Sequence, residues 1–213
     1  MLYRKKQSST MYIIGLIAGV LGFAALAVWL GQAGPGAIGF DQAVQDYLLS
    51  HRSDNWTSVA KVLSQLGTTY VFAIVLVAVG IVLIAKRRVP EALLLLLQLA
   101  VAWGAYKGLK GLFERPRPEI EHLVEATGYS FPSGNALMAS AFYLFAALLM
   151  FRLPHRGRAA GTLLVVVSLI VVLVVGASRL YLGVHYLTDI LAGYAAGLTL
   201  FCLAALVLNR AKR

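Results

Sequence analysis

Charge is scarce in this chain, and negative charge is scarcest. Charged residues make up 13% of the 213, and nine residues in all are Asp or Glu. A soluble domain carries about 25% charged residues, so the composition excludes an ordinary solvated surface. Cysteine occurs once, at Cys202. No internal disulfide can form, and within the last apolar run Cys202 reads as a packing residue. The four histidines stand at 51, 122, 155 and 185, without an HExxH or paired Cys/His spacing. That scatter argues against a metal site. No repeat and no second domain are evident, so residues 1–213 are expected to form one domain.

Apolar sequence is what the chain has in abundance, at 60% of its residues. Six runs stand out: Met11–Leu30, Thr69–Ala85, Glu91–Tyr106, Gly134–Phe151, Gly161–Gly176 and Ile190–Leu208. With interfacial residues included, several reach the roughly 20 residues that cross a bilayer. Six such runs leave too little polar surface for a soluble bundle. The expected fold is all-α, a polytopic membrane protein with six transmembrane helices. The first run follows Arg4-Lys5-Lys6, as a signal peptide would, and Gly31-Gln32-Ala33 is a weak cleavage candidate. Its length exceeds a signal core, so a retained helix is expected.

Basic residues set the topology. Twelve of the nineteen Lys and Arg fall in four groups: Arg4-Lys5-Lys6, Lys86-Arg87-Arg88, Arg152 with Arg156 and Arg158, and Arg210 with Lys212-Arg213. If six helices alternate, all four groups share one side. The positive-inside rule makes that side, and both termini, cytoplasmic. The net charge of +10 is then largely a collar facing anionic lipid. It is not a nucleic-acid signal.

The cytoplasmic connections, around residues 86–90 and 152–160, are short and carry Pro90 and Pro154 as turn markers. The outer segments are longer. Residues 31–68 open with Gly31, Gly34, Pro35, Gly36 and Gly39, a linker composition. Phe40, Val44, Tyr47 and Leu48 then recur at spacings of three and four, which predicts a short amphipathic helix in the outer interface. In the second outer loop, 111–133, one or two helical turns are expected over Glu119 to Ala126. Ser133 is a candidate N-cap for the fourth membrane helix. Gly193 and Gly197 share a helix face and permit close helix contact.

Three cations near the outer surface, Lys110, Arg117 and Arg179, suit a tetrahedral oxyanion. Lys107 and Arg115 read instead as interfacial anchors. His185 and Asp189 are four apart and would share a face of a helix. The aspartate can hold one ring nitrogen protonated while the other attacks or takes a proton. Spacing alone equally allows a local hydrogen-bonded pair at a helix start.

These residues resemble the three-part signature of the type 2 phosphatidic acid phosphatase (PAP2) superfamily. Lys110 with Arg117-Pro118 matches the first part. Pro132-Ser133-Gly134 matches the second, with Asn135 where the family has histidine. Ser178-Arg179, His185 and Asp189 match the third. The whole chain is similar to the bacterial membrane branch that contains phosphatidylglycerophosphate phosphatase B and undecaprenyl-diphosphate phosphatases. The resemblance implies a lipid phosphate or diphosphate as substrate, in a bacterial inner membrane, with the site on the outer face. It implies His185 as a nucleophile forming a phosphohistidine, oriented by Asp189. Lys110, Arg117, Ser133, Gly134 and Arg179 would hold the phosphoryl oxygens, without metal or cofactor.

Asn135 departs from that pattern. The family histidine protonates the leaving oxygen, and asparagine cannot deliver a proton. General acid–base help is worth about 10²–10⁴-fold, and its loss matters most for a basic leaving group. An alkoxide leaving from a glycerolipid monophosphate is very basic, whereas a lipid monophosphate leaving from a diphosphate is far less so. Asn135 is therefore more compatible with an isoprenyl diphosphate, such as undecaprenyl diphosphate, or with little activity at all, than with turnover of phosphatidic acid or phosphatidylglycerophosphate. Glu121, His122 and Glu125 are candidates to replace the acid. A lipid-phosphate binding or transport protein without turnover is the alternative, as is a lipid phosphotransferase.

Overall fold

The computed structural model describes residues 2–34, 38–153 and 158–211, with side chains from residue 9 onward except at 158. The linker residues Pro35 and Gly36, the turn at Pro154, and the basic side chains of residues 4–6, 156, 158, 212 and 213 lie outside the described residues. Among the described residues there are helices and no strand: α1 (Leu2–Ala33), α2 (Gly39–Ser50), α3 (Asp54–Ser64), a 3-10 turn (Gln65–Gly67), α4 (Thr69–Ala85), α5 (Val89–Phe113), α6 (Gly134–Phe151), α7 (Arg158–Tyr181) and α8 (Leu187–Arg210).

Side-chain size decides which helix lies at the centre. Without a hydrophobic drive between helices in lipid, close approach falls to small residues. α6 carries Ala136, Ala139, Ser140, Ala141, Ala146 and Ala147, all buried. It packs against α5, α7 and α8, and α1 packs on α8. By contrast, α7 turns Leu163, Val166, Ile170 and Leu173 outward, where lipid would cover them. The predicted role of Gly193 and Gly197 is met. A Cβ at Gly193 would lie 2.6 Å from the Ser133 carbonyl oxygen, and one at Gly197 would lie 2.5 Å from that of Leu137. These contacts seat α8 directly on the first turns of α6.

Among the described residues, five helices are long and apolar enough to cross a bilayer. A sixth span is formed if a bent pair is taken as one: α3 with its 3-10 turn meets α4 at an angle of 52°. The sequence predicts one helix in the outer segment 31–68, around Phe40 to Leu48, and α3 is a second. Trp56, Val59, Ala60 and Leu63 follow helical spacing, and the Ser53 hydroxyl accepts the Trp56 N–H at 3.4 Å as an N-cap. The amphipathic α2 lies where it was expected. Residues 119–126 form no helix; Pro116 and Pro118 precede that stretch, and its backbone bonds to other segments instead.

Lys86, Arg88, Arg152 and Arg210 close one end of the helices. There Arg152 Nη2 donates to Asn209 Oδ1 at 2.8 Å, tying α6 to α8. The polar clusters from the sequence gather at the other end, where α5 and α7 finish and α6 and α8 begin.

Candidate active site

Helix ends bring the site together. Glu114, in a left-handed conformation (φ 44°), terminates α5 and leaves Lys110 in its last turn. Ser133 caps α6, accepting the Ala136 N–H at 3.5 Å, so Gly134 and Asn135 occupy the first turn. Arg179 lies in the last turn of α7. Gly183, at φ +78°, reverses the chain; a Cβ there would lie 2.7 Å from Arg52 Nη2 and 3.0 Å from the Glu121 carbonyl oxygen. His185 follows this turn, and Tyr186 caps α8.

The spacing argument for His185 and Asp189 needs correction. His185 precedes α8 and does not share a helix face with Asp189. Asp189 instead reaches back over the helix start, and its Oδ2 accepts the Tyr186 N–H at 2.9 Å. This is the carboxylate half of a capping box. It sets Asp189 Oδ2 3.5 Å from His185 Nδ1, at the limit of hydrogen bonding. The Ser130 hydroxyl sits between, 3.4 Å from Nδ1, and donates to Asp189 Oδ2 in a very short bond.

A cavity of about 460 Å³ opens in front of the imidazole. Its lining includes Lys110, Arg117, Gly134, Asn135, Arg179 and His185. Ser133 is buried beneath, with its N–H on the Asp189 carbonyl at 2.9 Å. Arg179 Nε is buried and has no hydrogen-bond partner among the described residues. A buried donor left in that state is costly unless a ligand supplies an acceptor. Arg117 is partly committed: Nε donates to the Gly128 carbonyl at 3.0 Å, Nη2 to that of Thr127 at 2.9 Å and Nη1 to that of Val184. It therefore fastens the 114–133 loop to the segment carrying His185.

Burial is the main cause that pushes the His185 imidazole down to about 4. Asp189 opposes the shift, while the guanidinium groups of Arg117 and Arg179 add to it. The ring is thus neutral at pH 7. With Nδ1 turned to Asp189, Nε2 is left for the cavity. Burial also lowers Arg117, with Asp189 opposing.

Asn135 Nδ2 donates to the Gly67 carbonyl at 2.9 Å. A carbonyl can only accept, so this bond fixes the amide orientation. It also ties α6 to the break between α3 and α4. Of the three residues considered as replacement acids, Glu125 lines the cavity and the other two do not. His122 Nε2 donates to the Pro118 carbonyl at 2.9 Å, and Glu121 offers its own carbonyl to Arg52 at 3.2 Å. Lys107 is exposed and lies over the Trp103 and Tyr106 rings, as an interfacial anchor would.

Arg115 contradicts its reading as an anchor. Its side chain is fully buried, with Nη1 on Asp189 Oδ1 at 2.7 Å and Nη2 on Asp41 Oδ2 at 2.8 Å. Two partners, Asp41 and Ser130, were missed by sequence reasoning. No local pattern joins positions 41, 115, 130 and 189; the one signal was the rarity of acid in an apolar chain. Among the described residues, no three His, Cys, Asp or Glu side chains converge as metal ligands.

Residues 91–213 match the family model of the PAP2 superfamily. The chain belongs to this superfamily. Phosphatidylglycerophosphatase B of Bacillus subtilis (strain 168) is 33% identical over 164 residues, covering 76% of this chain and 80% of that protein. A crystal structure titled as the first transmembrane PAP2 type phosphatidylglycerolphosphate phosphatase from Bacillus subtilis superposes with a TM-score of 0.85. Its identity is 27%, over 93% of this chain and 98% of that one. LpxE of Aquifex aeolicus shares the fold, with a TM-score of 0.63 at 21% identity over 79% of this chain and 96% of that chain. The PAP2 helical bundle thus accounts for nearly the whole chain, including helices α1–α4 that precede the matched residues.

Proposed function

We propose that this PAP2 protein is a lipid phosphatase that removes phosphate from a membrane lipid phosphate or diphosphate through a phosphohistidine. One observation carries the reading: a neutral His185 backed by a carboxylate faces a cavity that also holds Lys110, Arg117 and Arg179. The lone pair of His185 Nε2 attacks phosphorus, the bond from phosphorus to the leaving oxygen breaks, and that oxygen keeps the electron pair. Asp189 stabilises the cation that forms on the ring. The three cations and the Gly134 N–H hold the phosphoryl oxygens as charge builds in the transition state, and Ser133, beneath them, caps the helix that presents that N–H. Water then attacks phosphorus, the phosphorus–nitrogen bond breaks, and phosphate leaves. The cations supply the electrostatic help a metal would give, so activity is expected to survive chelation.

Asn135 narrows the substrate. Its amide is engaged with Gly67 and carries no transferable proton, so a good leaving group is favoured. Undecaprenyl diphosphate meets that need; phosphatidylglycerophosphate, named in the Bacillus relatives, demands a proton that Glu125 would have to supply. The charge pattern supports a single-domain protein of the bacterial inner membrane, with cytoplasmic termini and the cavity on the outer face. Envelope lipid recycling is the matching role.

The test is phosphate release by purified protein from both lipids, with His185→Ala in parallel. Hydrolysis that persists in His185→Ala would sink the nucleophile assignment. Asn135 also favours one second reading, a lipid-phosphate binder or transporter. No turnover, with movement of labelled lipid in reconstituted vesicles, would select it. A phosphorylated acceptor lipid in place of free phosphate would select a phosphotransferase.

A further inference from the structure

Arg115 lies outside the three-part signature and does not line the cavity. It is nevertheless the largest fully buried side chain. Its guanidinium stands between two carboxylates that are themselves fully buried, Asp41 of α2 and Asp189 of α8. Nη1 also donates to Thr188 Oγ1 at 2.8 Å, and the Tyr186 ring covers the guanidinium at 4.0 Å. Asp41 completes the arrangement from the other side. Its Oδ1 accepts the Thr188 N–H at 2.9 Å, and its Oδ2 accepts the Thr188 hydroxyl at 2.6 Å.

The charges sum simply. Asp41 and Asp189 carry −1 each and Arg115 carries +1, so the buried group holds −1. An isolated Asp189 would hold the same charge, but it would be free to turn. Here Oδ1 is pinned by Arg115 and Oδ2 by Ser130 and the Tyr186 N–H. We propose that Asp41 and Arg115 are positioning residues for His185: through Asp189 they fix the charge and orientation behind the imidazole, making α2 a working part of the site. This rests on the phosphatase reading for its kinetic consequence, but not for its electrostatic one.

The charged groups around His185 are Asp189 of α8, Arg117 of the 114–133 loop and Arg179 of α7. Lys110 of α5 acts on Asp189 from the cavity side. Tyr186 and Glu119 lie near the buried triad. In Arg115→Met, Asp41 and Asp189 face each other without a counter-charge, and the cluster takes up a proton. Adding Asp41→Asn removes one carboxylate, so Asp189 carries the −1 of the group without that proton. A purely structural Arg115 predicts the opposite outcome, because each lost contact then adds to the damage.

The experiment compares wild type, Arg115→Met, Asp41→Asn and the double variant in detergent. Arg115→Met should lose kcat with KM held within about threefold, since neither residue lines the cavity, and the double variant should regain about tenfold of that loss. Ring-nitrogen NMR of ¹⁵N-histidine protein, with His185 assigned by His185→Ala, provides a readout without turnover. His185 should be neutral with its proton on Nδ1 in wild type, change protonation in Arg115→Met, and return to the wild-type state in the double variant. Losses that multiply in the double variant, or an unchanged His185 signal in folded Arg115→Met, would overturn the proposal. If Arg115→Met does not fold, Asp41→Asn decides alone. It keeps an acceptor for the Thr188 N–H, and unchanged kcat there overturns the proposal, whereas lower kcat at constant KM upholds it. If wild type hydrolyses none of the lipids, the phosphatase reading falls, and the NMR comparison still tests the link from Arg115 to His185.

Discussion

The two sides of the His185 ring occupy opposite environments. In front is a cavity of about 460 Å³ lined by three cations, one of which, Arg179, has a buried Nε without a partner among the described residues. Behind is a dry, closed group in which the Asp189 carboxylate oxygens are pinned by Arg115, Ser130 and the Tyr186 N–H. The front is unsatisfied and open to an anion. The back is closed, with both Asp189 carboxylate oxygens held. The difference shows how one imidazole can have a reactive nitrogen and a tethered one: each nitrogen is served by a region with its own solvation and charge. Preorganisation of this kind leaves little to rearrange when charge develops.

The comparison can be broken most severely from behind. Asp189→Asn should lower kcat by about 10³–10⁴-fold, because an amide can favour the wrong ring tautomer. The same change removes one of the two carboxylates on the buried Arg115, so the thermal midpoint should fall as well. Steady-state phosphate release and a melting curve read both effects. Loss of activity smaller than tenfold would show that Asp189 does not orient the ring.

A front-side change should cost less. Arg179→Gln is expected to reduce kcat by about 10²–10³-fold, the value of one transition-state donor. It should leave stability nearly unchanged, since Arg179 Nε has no partner to lose. A drop in melting temperature like that of Asp189→Asn would erase the contrast between the two sides.

Asn135→His sharpens the front further. Restoring a proton donor should raise hydrolysis of a lipid monophosphate by about 10–10²-fold and that of a diphosphate by less, a fraction of the usual general-acid gain. Equal rates before and after on both substrates would remove the leaving-group argument.

The smallest effect concerns pH. The His185 imidazole is held at about 4, and its lowered value means that the neutral form, which the proposed attack requires, persists as pH falls below the ordinary 6.5. After correction for substrate ionisation, kcat/KM should change less than about twofold between pH 7 and pH 5.5. An imidazole titrating at 6.5 would instead cost about tenfold over that range. A bend near 6.5 that disappears in no other histidine variant would place His185 in a wetter site than the structure gives it.

Much of this was legible in one dimension. The runs Thr69–Ala85 and Gly134–Phe151 coincide with α4 and α6 to the residue, because long apolar runs and the Ser133 cap are local signals. Lys110, Arg117, Asn135, Arg179 and His185 all stand out in the sequence, and they line one cavity. Helix α3 was missed although Trp56, Val59, Ala60 and Leu63 carry helical spacing. The shortness of that pattern and the flanking polar residues hid it. The expected turns over Glu119–Ala126 are absent because backbone groups there serve distant partners, such as Leu123 N–H on the Leu182 carbonyl at 3.1 Å.

By itself the sequence determined the membrane-spanning character, the approximate helix limits and the residue types available for phosphate chemistry. Each depends on composition or short-range spacing, which the chain carries wherever it goes. Tertiary structure decided that His185 meets Asp189 across a helix start, that Asn135 holds Gly67, and that Arg115 is buried between Asp41 and Asp189. Those facts depend on contacts between residues as many as 147 positions apart, from Asp41 to Thr188. Burial and charge pairing exist only once the helices have closed around them, so no local pattern could announce them.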